Sequence, residues 1–595
     1  MRPAHILRRN HNGEMPSRLI FFDTETKSVK IDDKTVQAVL TLGVTAYQVR
    51  RSGKVWSTPR YKTFHNNDDF FRILFAKAYN KKKLYVYAHN LSFDFTVIEG
   101  FKRMLEAGWE IKRAIIEGPP TIISFRRDKS TITFLDTLNY FRMPLKKLGE
   151  SVGLAKMDMP DTNVSSTELE SYCRRDVDII RVSILKLLDF IKSQDLGNYQ
   201  STLASQAFSA FRHRFMDAPI LIDNNEKALD ISRRSYLGGR TENFYIGKIN
   251  KRVHLLDINS QYPSVMKGNA YPVHLIGVYR KPDSEELRNW IQKYAICAEC
   301  IVETDINCIP IRQDKRLIFP IGRFKAVLST PEIELALETC KSLTVIRAAV
   351  YHKALIFDSF VSFFYGKRLE YASNDDGAFA FMCKILLNSL YGKFGQTGRI
   401  YEDVDKITDL TSKRWSEIDI DTKEIHHFRQ FAGQVQRLSG LTESMDSMPA
   451  IASHVTSYAR VLLWNYINQA GRENVLYIDT DSLLVNDAGR ERLEGELDGK
   501  VLGKLKHVET YTDGELRAPK DYILGTSEKI KGVRGNAQKL HDGVYLQDTF
   551  LNFRGMIARG DLDRMLIRAT TKHLTRDYRK GIVGLNGDVE PFTLQ

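Results

Sequence analysis

Residues 475–485, VLYIDTDSLLV, leave few folds open. Two short apolar runs of strand character flank Asp479, Thr480, Asp481 and Ser482, which predicts a hairpin with both carboxylates at its tip. Hard divalent cations such as Mg²⁺ take oxygen ligands, so two acids one residue apart at a rigid turn can share one ion or bridge two. Asp and Ser also favour turns for conformational reasons alone, and a lone DTDS is more often only a turn. The metal reading needs a third carboxylate, a triphosphate site and a surface for nucleic acid elsewhere in the chain.

At 595 residues the chain is too long for one core, and about three to five domains follow from ordinary domain size. A balance of 87 Lys plus Arg against 73 Asp plus Glu leaves a net charge of +14, which favours a polyanionic partner. Six cysteines are too few for a disulfide framework at this length, so a reducing compartment, the cytoplasm, is expected. Cys297, Cys300 and Cys308 imitate a zinc pattern but lie in or near the apolar run AICAECIV with no fourth ligand nearby. The basic first 18 residues lack the apolar segment of a signal peptide, and nothing approaches the roughly 18 apolar residues of a membrane span.

Three pieces of the N-terminal third carry acids. The run LIFF delivers Asp23, Thr24 and Glu25, and LYVYAHN leads into Asn90, Phe93 and Asp94. ELESYCRRDVDIIRVSILKLLDFI has helical period, with Tyr172 and Asp176 on one face and Asp178 on another. Asp23, Glu25, Asp94 and Asp176 together would hold two cations and activate a water against a phosphodiester, with Tyr172 orienting that water. In the middle, SYLGGRTENF offers Tyr236, Gly238, Gly239 and Arg240 at a turn open to close backbone approach by a phosphate chain. HLLDINSQYPSVM presents Asp257 at a strand end, the third carboxylate, followed by Ser260, Tyr262 and Pro263. Residues 375–392 have the period of a long helix closed by Gly392, with Lys384, Asn388 and Tyr391 on one strip. A Lys and an Asn on a buried face would need an anionic ligand, whereas a solvated stripe would need none.

The first set, in its order and spacing, resembles the three motifs of a proofreading 3'-5' exonuclease of the DEDD type with tyrosine in the third motif. That resemblance implies primer-terminus contacts at Thr24, Asn90 and Phe93, a single-strand ligand motif at Thr137 and Leu138, and a catalytic-site lysine at Lys156. DINSQYPS, KILLNSLYGKFG and YIDTDS behind it resemble motifs A, B and C of a family B DNA polymerase. The long spacings between them resemble the two terminal-protein-region inserts of the protein-primed subgroup of linear-genome phages, adenoviruses and linear plasmids. The YLGG turn, Thr456, Ala459 and Arg460 in TSYAR, and Lys520 and Tyr522 in PKDYIL fit the same subgroup, and the resemblance implies DNA contacts at Tyr236, Gly238, Gly239, Thr456, Arg460, Lys520 and Tyr522. Gln261 stands where Leu is usual, a change compatible with a surface position.

The resemblance implies an α/β (α+β) multidomain chain: an RNase H-like exonuclease domain and a right-hand polymerase. The expected boundaries are a basic tail at 1–18, exonuclease at 19–200, palm at 201–266 and 449–530, fingers at 355–396 and thumb at 531–595. Inserts at 267–354 and 397–448 would dock a priming protein and close around the template, respectively; surface loops are the plainer reading. It implies two Mg²⁺ or Mn²⁺ per site and no organic cofactor. Asp257 and Asp479 are the palm ligands with Asp481 beside them; Lys384, and secondarily Lys367 or Arg368, meets the triphosphate. Tyr262 bars a 2'-hydroxyl, Asn388 and Tyr391 face the nascent pair, and Lys520 and Tyr522 hold the primer. Its partners would be primer-template DNA, dNTPs and a terminal protein, with no membrane, for a monomer in the host cytoplasm. Residues 559–581 space Arg564, Arg568, Lys572, Arg576 and Lys580 four apart, which predicts a basic stripe on a thumb helix or an ordinary solvated face. Rival readings are a primer-independent family B polymerase, a catalytically silent DNA-binding relative, and a stand-alone exonuclease that would leave nearly four hundred residues unexplained.

Overall fold

In the computed structural model, residues 2–51, 55–78, 83–116, 118, 120–160, 165–407, 409, 411–560 and 562–595 are described. The N-terminal third folds around a mixed sheet. Strand Arg18–Asp32 runs parallel to Lys83–Ala88, which runs parallel to Ser130–Asp136; Thr35–Arg51 and Ile122–Arg127 flank them antiparallel. Central strands buried on both faces read as apolar runs, and Leu19, Ile20, Phe21 and Phe22 are all at most 1% exposed. Helix Ser166–Ser193 packs along this sheet, its start fixed by a reciprocal capping box between Ser165 and Glu168. Asp178 faces away from the acids and accepts a hydrogen bond from the Tyr61 hydroxyl.

The palm is a five-stranded antiparallel sheet in the order Thr241–Asn243, Val475–Asp479, Ser482–Asn486, Val253–Ile258, Leu505–Tyr511. Helix Pro449–Ala470 packs against the motif A helix Gln261–Met266 and against helix Glu226–Ser235. Residues 271–354 build a second sheet, Tyr271–Arg280, Ser342–Ala354, Tyr294–Thr304 and Ile321–Ser329, with Thr593–Leu594 added at its edge. Two adjacent helices, Asp358–Ser373 and Gly377–Phe394, form the fingers, and an exposed four-stranded sheet follows over residues 397–443. Among the described residues, no helix is long and apolar enough to cross a membrane.

Several expectations need correcting. Met565–His573 is a strand, not part of a helix: it pairs with Val544–Phe550 and with Thr35–Ala38, extending the N-terminal sheet. A spacing of four is also an even spacing, so it puts residues on one face of a strand as well as of a helix, and Ile567, Thr570 and Thr571 favour the strand. The fingers helix ends at Gly395 rather than Gly392, which lies inside it. Ser329 stands at the N-cap of helix Thr330–Thr339 without a side-chain cap bond, because its hydroxyl meets that of Ser453 at 2.5 Å. The basic N-terminal stretch is no free tail, because Leu7 is buried and the Arg2 guanidinium donates to the Ser447 hydroxyl at 2.7 Å and the Asp223 carbonyl at 3.1 Å. Gln261 is 2% exposed and its amide donates to the Ala459 carbonyl at 3.0 Å, so it is an interior residue. All three cysteines of the zinc-like pattern are buried; Cys297 and Cys300 lie in the second sheet.

Candidate active sites

The palm acids lie in one row across the sheet. Thr241, Asp479, Ser482, Asp257 and Lys506 are successive cross-strand partners, which sets Asp479 and Asp257 two strands, about 10 Å of backbone, apart. A two-residue turn joins the hairpin, with Thr480 at φ 64°, a costly conformation for a β-branched residue. The turn is held from outside: the Thr480 N–H donates to the Arg240 carbonyl at 2.7 Å, and a Cβ on Gly239 would come within 2.7 Å of the Thr480 methyl. Gly239 is therefore required by close approach. Arg460, 3% exposed and paired with buried Glu332 at 2.7 Å, donates to the carbonyls of Leu237 and Gly238, both at 2.8 Å. Thr456 is likewise buried and donates to the Ser453 carbonyl at 3.1 Å. Both had been expected at DNA. The structure instead makes Arg460 the anchor of the YLGG turn, leaving Gly238 exposed at its tip and Tyr236 against Gly395.

Cations ring the row. Lys520, on a turn at φ 65°, reaches Asp479 at 3.2 Å, and the Thr241 hydroxyl donates to the same carboxylate at 3.0 Å. Tyr522 packs beside Tyr477 with ring centres 5.6 Å apart. Burial and then the Asp481 charge push Asp257 up to about 6, against the pull of Lys384, Lys506 and Arg368. Burial also raises Asp481. Lys384 is exposed, so the argument from a buried lysine fails; what marks it is its field on Asp257 and Asp481. Asn388 donates to the Lys384 carbonyl of its own helix at 3.0 Å. Lys367 is engaged by Glu370 at 2.7 Å, whereas Arg368 donates to the Ser260 hydroxyl at 2.5 Å beside the acids. The rings of Tyr262 and Tyr391 stack with centres 4.9 Å apart. A cleft of about 690 Å³ opens beside Thr241, lined by Arg316, Lys520, Lys531, Lys572, Arg579 and Lys580. A separate cavity of about 840 Å³ around Phe244, Arg472 and Val589 holds none of these carboxylates.

The second acid cluster is deeper. The Thr24 N–H and hydroxyl both donate to Asp94, at 3.1 and 2.7 Å, tying the first strand to the helix Leu91–Val97. Lys156 donates to Asp176 and lies 4.4 Å from the centre of the Tyr172 ring. Burial, then the charges of Asp94, Asp176 and Glu25, raises Asp23 well above the carboxylate range. Burial pushes Glu25 up to about 7 and Asp94 up to about 8, and raises Asp176 despite Lys156. One oxygen of Asp176 is buried with no hydrogen-bond partner. Acids so crowded and so poorly compensated fit divalent cations. Asp136, unremarked in the sequence, accepts from the N–H groups of Asn90, Leu91 and Leu138 at 3.0, 3.1 and 2.9 Å. It thereby sets Asn90, exposed at φ 64°, and Leu138. Thr137 is buried against His89 at 2.8 Å, so its side chain is structural, and Phe93 packs half-buried on the sheet. Cys173 was also missed: its ligand atom and those of Asp23 and Glu25 all lie within 4.8 Å of one another. Its only signal was its place beside Tyr172.

An antiparallel palm sheet with acids at a hairpin tip, helical fingers beside it and a separate acid-lined mixed sheet define a right-hand polymerase fold with an RNase H-like N-terminal domain. The structure of Phi29 DNA polymerase with primer-template DNA and incoming nucleotide covers 94% of this chain and 100% of its own at a TM-score of 0.65 and 17% identity. Residues 154–430 match the family model of DNA polymerase type B, organellar and viral. That match covers just under half of the chain. A probable DNA polymerase of Neurospora intermedia is 25% identical over 363 residues, 57% of this chain and 36% of that protein. One of Agaricus bitorquis is 27% identical over 67% of this chain and 55% of its own length, so the chain spans well under two thirds of these fungal relatives. The DNA-directed DNA polymerase of Enterobacteria phage PRD1 is 23% identical over 72% of this chain and 71% of its own.

Proposed function

We propose that the protein is a template-directed DNA polymerase with a proofreading 3'-5' exonuclease, and that it starts chains on a priming protein. The observation that carries the reading is the palm row, in which Asp479 and Asp257 flank Ser482 with Asp481 at the turn and Lys384, Arg368 and Lys520 around them. Phosphoryl transfer is mostly positioning and charge stabilisation, so cations converging on paired acids are what it requires. Two Mg²⁺ or Mn²⁺ per site, held by Asp257, Asp479 and Asp481 or by Asp23, Glu25, Asp94 and Asp176, would activate the attacking oxygen and stabilise the leaving one.

Lys384 and Arg368 face the triphosphate, and Lys520 shields Asp479 until a primer end takes its place. The stacked Tyr262–Tyr391 pair forms the floor beneath the sugar, where a 2'-hydroxyl has no room. At the nuclease site Thr24 holds Asp94 in register, Lys156 fixes Asp176, and Tyr172 orients the water. The domain boundaries given above go with this reading, residues 267–354 as the docking sheet for the priming protein and 397–448 as the clamp ahead of the template.

The test is incubation with labelled dNTP, divalent metal and candidate priming proteins. A metal-dependent covalent nucleotide–protein adduct is expected. Synthesis on a circular single-stranded template with neither primer nor priming protein would instead establish a self-priming enzyme, and no incorporation under any condition would remove the polymerase reading.

A further inference from the structure

Cys173 is fully buried and its thiol donates to the Asp23 carbonyl at 3.4 Å, with the Asp23 carboxylate at 3.7 Å. Among the described residues, Asp23, Glu25 and Cys173 are the one group of three whose donor atoms all lie within 4.8 Å of each other. Three residues further along the same helix, Asp176 is buried to a side-chain exposure of 5%, and one of its oxygens has no hydrogen-bond partner. Spacings of three and four place Tyr172, Cys173 and Asp176 on neighbouring parts of one helix face, and the Asp176 charge bears on both Asp23 and Glu25. A sulfur and two carboxylates within reach of one another, with an orphaned carboxylate oxygen on the same helix face, make a mixed donor set. The palm differs: its acids are accompanied by hydroxyls and amines, and among the described residues no cysteine groups with them.

Donor softness decides what such a set prefers. Mg²⁺ takes oxygen, whereas a thiolate selects Zn²⁺, Cd²⁺ and similar ions, releasing the sulfur proton on binding. We propose that Cys173 makes the nuclease centre a binding site for thiophilic divalent cations, held by its sulfur with the carboxylates of Asp23 and Glu25. The inference rests on the reading of this centre as a metal-dependent nuclease. Its consequence is that the two active sites of one chain differ in metal preference, and that Zn²⁺ or Cd²⁺ is retained at the nuclease centre against an excess of Mg²⁺.

The test is titration of the full chain with Cd²⁺, without DNA, following the sulfur-to-cadmium charge-transfer absorption. The expected result is a band in the unaltered protein that is lost in Cys173→Ser, is weakened roughly tenfold or more in affinity in Asp23→Asn, and persists in Cys340→Ser. A band unchanged in Cys173→Ser, or lost in Cys340→Ser, overturns the proposal. Should Cys173→Ser fail to fold, alkylation mapped on the unaltered protein replaces it: Cd²⁺ must slow modification of Cys173 more than that of Cys308 or Cys340, and equal rates overturn the proposal. Because these readouts need no turnover, they separate the two ideas. Absence of Mg²⁺-dependent degradation in the unaltered chain would sink the nuclease reading, whereas degradation without cadmium binding would sink only the sulfur ligand.

Discussion

The two acid clusters solve the problem of crowded negative charge in opposite ways. In the palm the acids sit at a turn and at a strand end, and the protein brings its own cations: Lys520 to Asp479, with Lys384, Lys506 and Arg368 bearing on Asp257. In the N-terminal acid cluster burial goes deeper, Lys156 is the one lysine among the described residues that donates to one of its acids, and Glu25 and Asp94 are pushed up to about 7 and about 8 against about 6 for Asp257. A site supplied with protein cations can trade a lysine for a metal or substrate. A site held by burial remains partly protonated until a metal arrives. On the proposed function, the difference would give synthesis and degradation separate pH and metal dependences within one chain.

The comparison can be broken first at the hairpin turn. Gly239→Ala would push on Thr480 and on the Tyr262 hydroxyl, 3.1 Å from the added methyl, and so displace Asp479 and Asp481. Primer extension should fall on the order of a hundredfold with degradation unchanged; equal loss of both would mean that the turn serves folding rather than the palm alone. Next in size, Tyr262→Val removes the ring stacked on Tyr391 and should cut discrimination against ribonucleotides by roughly tenfold or more. An unchanged sugar preference in competition assays would deny the gate.

The pH dependence sharpens the contrast. A carboxylate must be ionised to hold a cation, and a raised pKa moves that ionisation to higher pH, so both activities fall as pH drops. Degradation should fail first, through about 8 to 7, and synthesis later, near 6. Profiles at several metal concentrations check the order, and coincident acid limbs would contradict it. The smallest effect concerns stability without metal. Glu25 has a folded pKa of about 7 against 4.5 unfolded, so its ionisation destabilises the fold progressively as pH rises from 4.5 and fully above 7. Glu25→Gln should therefore stabilise the metal-free chain at pH 8 by about 1–3 kcal/mol and much less at pH 5. Denaturant melts at both values would show it.

Much of this was legible in the sequence because apolar runs flank the acids. VLYID and SLLV must pair to bury Leu476, Ile478, Leu483 and Val485, and pairing them leaves Thr480 and Asp481 at the tip. The palm row was also foreshadowed, since HLLDIN ends a buried strand on an acid. What escaped depended on contacts distant in sequence. Arg460 was expected to face DNA, yet its partner Glu332 comes from the helix Thr330–Thr339, more than a hundred residues earlier. Gln261 is interior because the Ala459 carbonyl, almost two hundred residues on, accepts its amide. The basic spacing after residue 559 is compatible with either period, and strand pairing to Thr35–Ala38 decided it. Cys173 had no pattern of its own, and only folding brings it to Asp23 and Glu25.

Independence of the two centres is the central claim, and one pair of variants tests it most directly. Asp479→Ala and the double variant Asp23→Ala, Asp94→Ala are each assayed for primer extension and for single-strand degradation under the same metal and pH. The account predicts that the first loses extension by on the order of a thousandfold and keeps degradation, and that the second does the reverse. Extension surviving in the first, or both activities falling together in either, would contradict it.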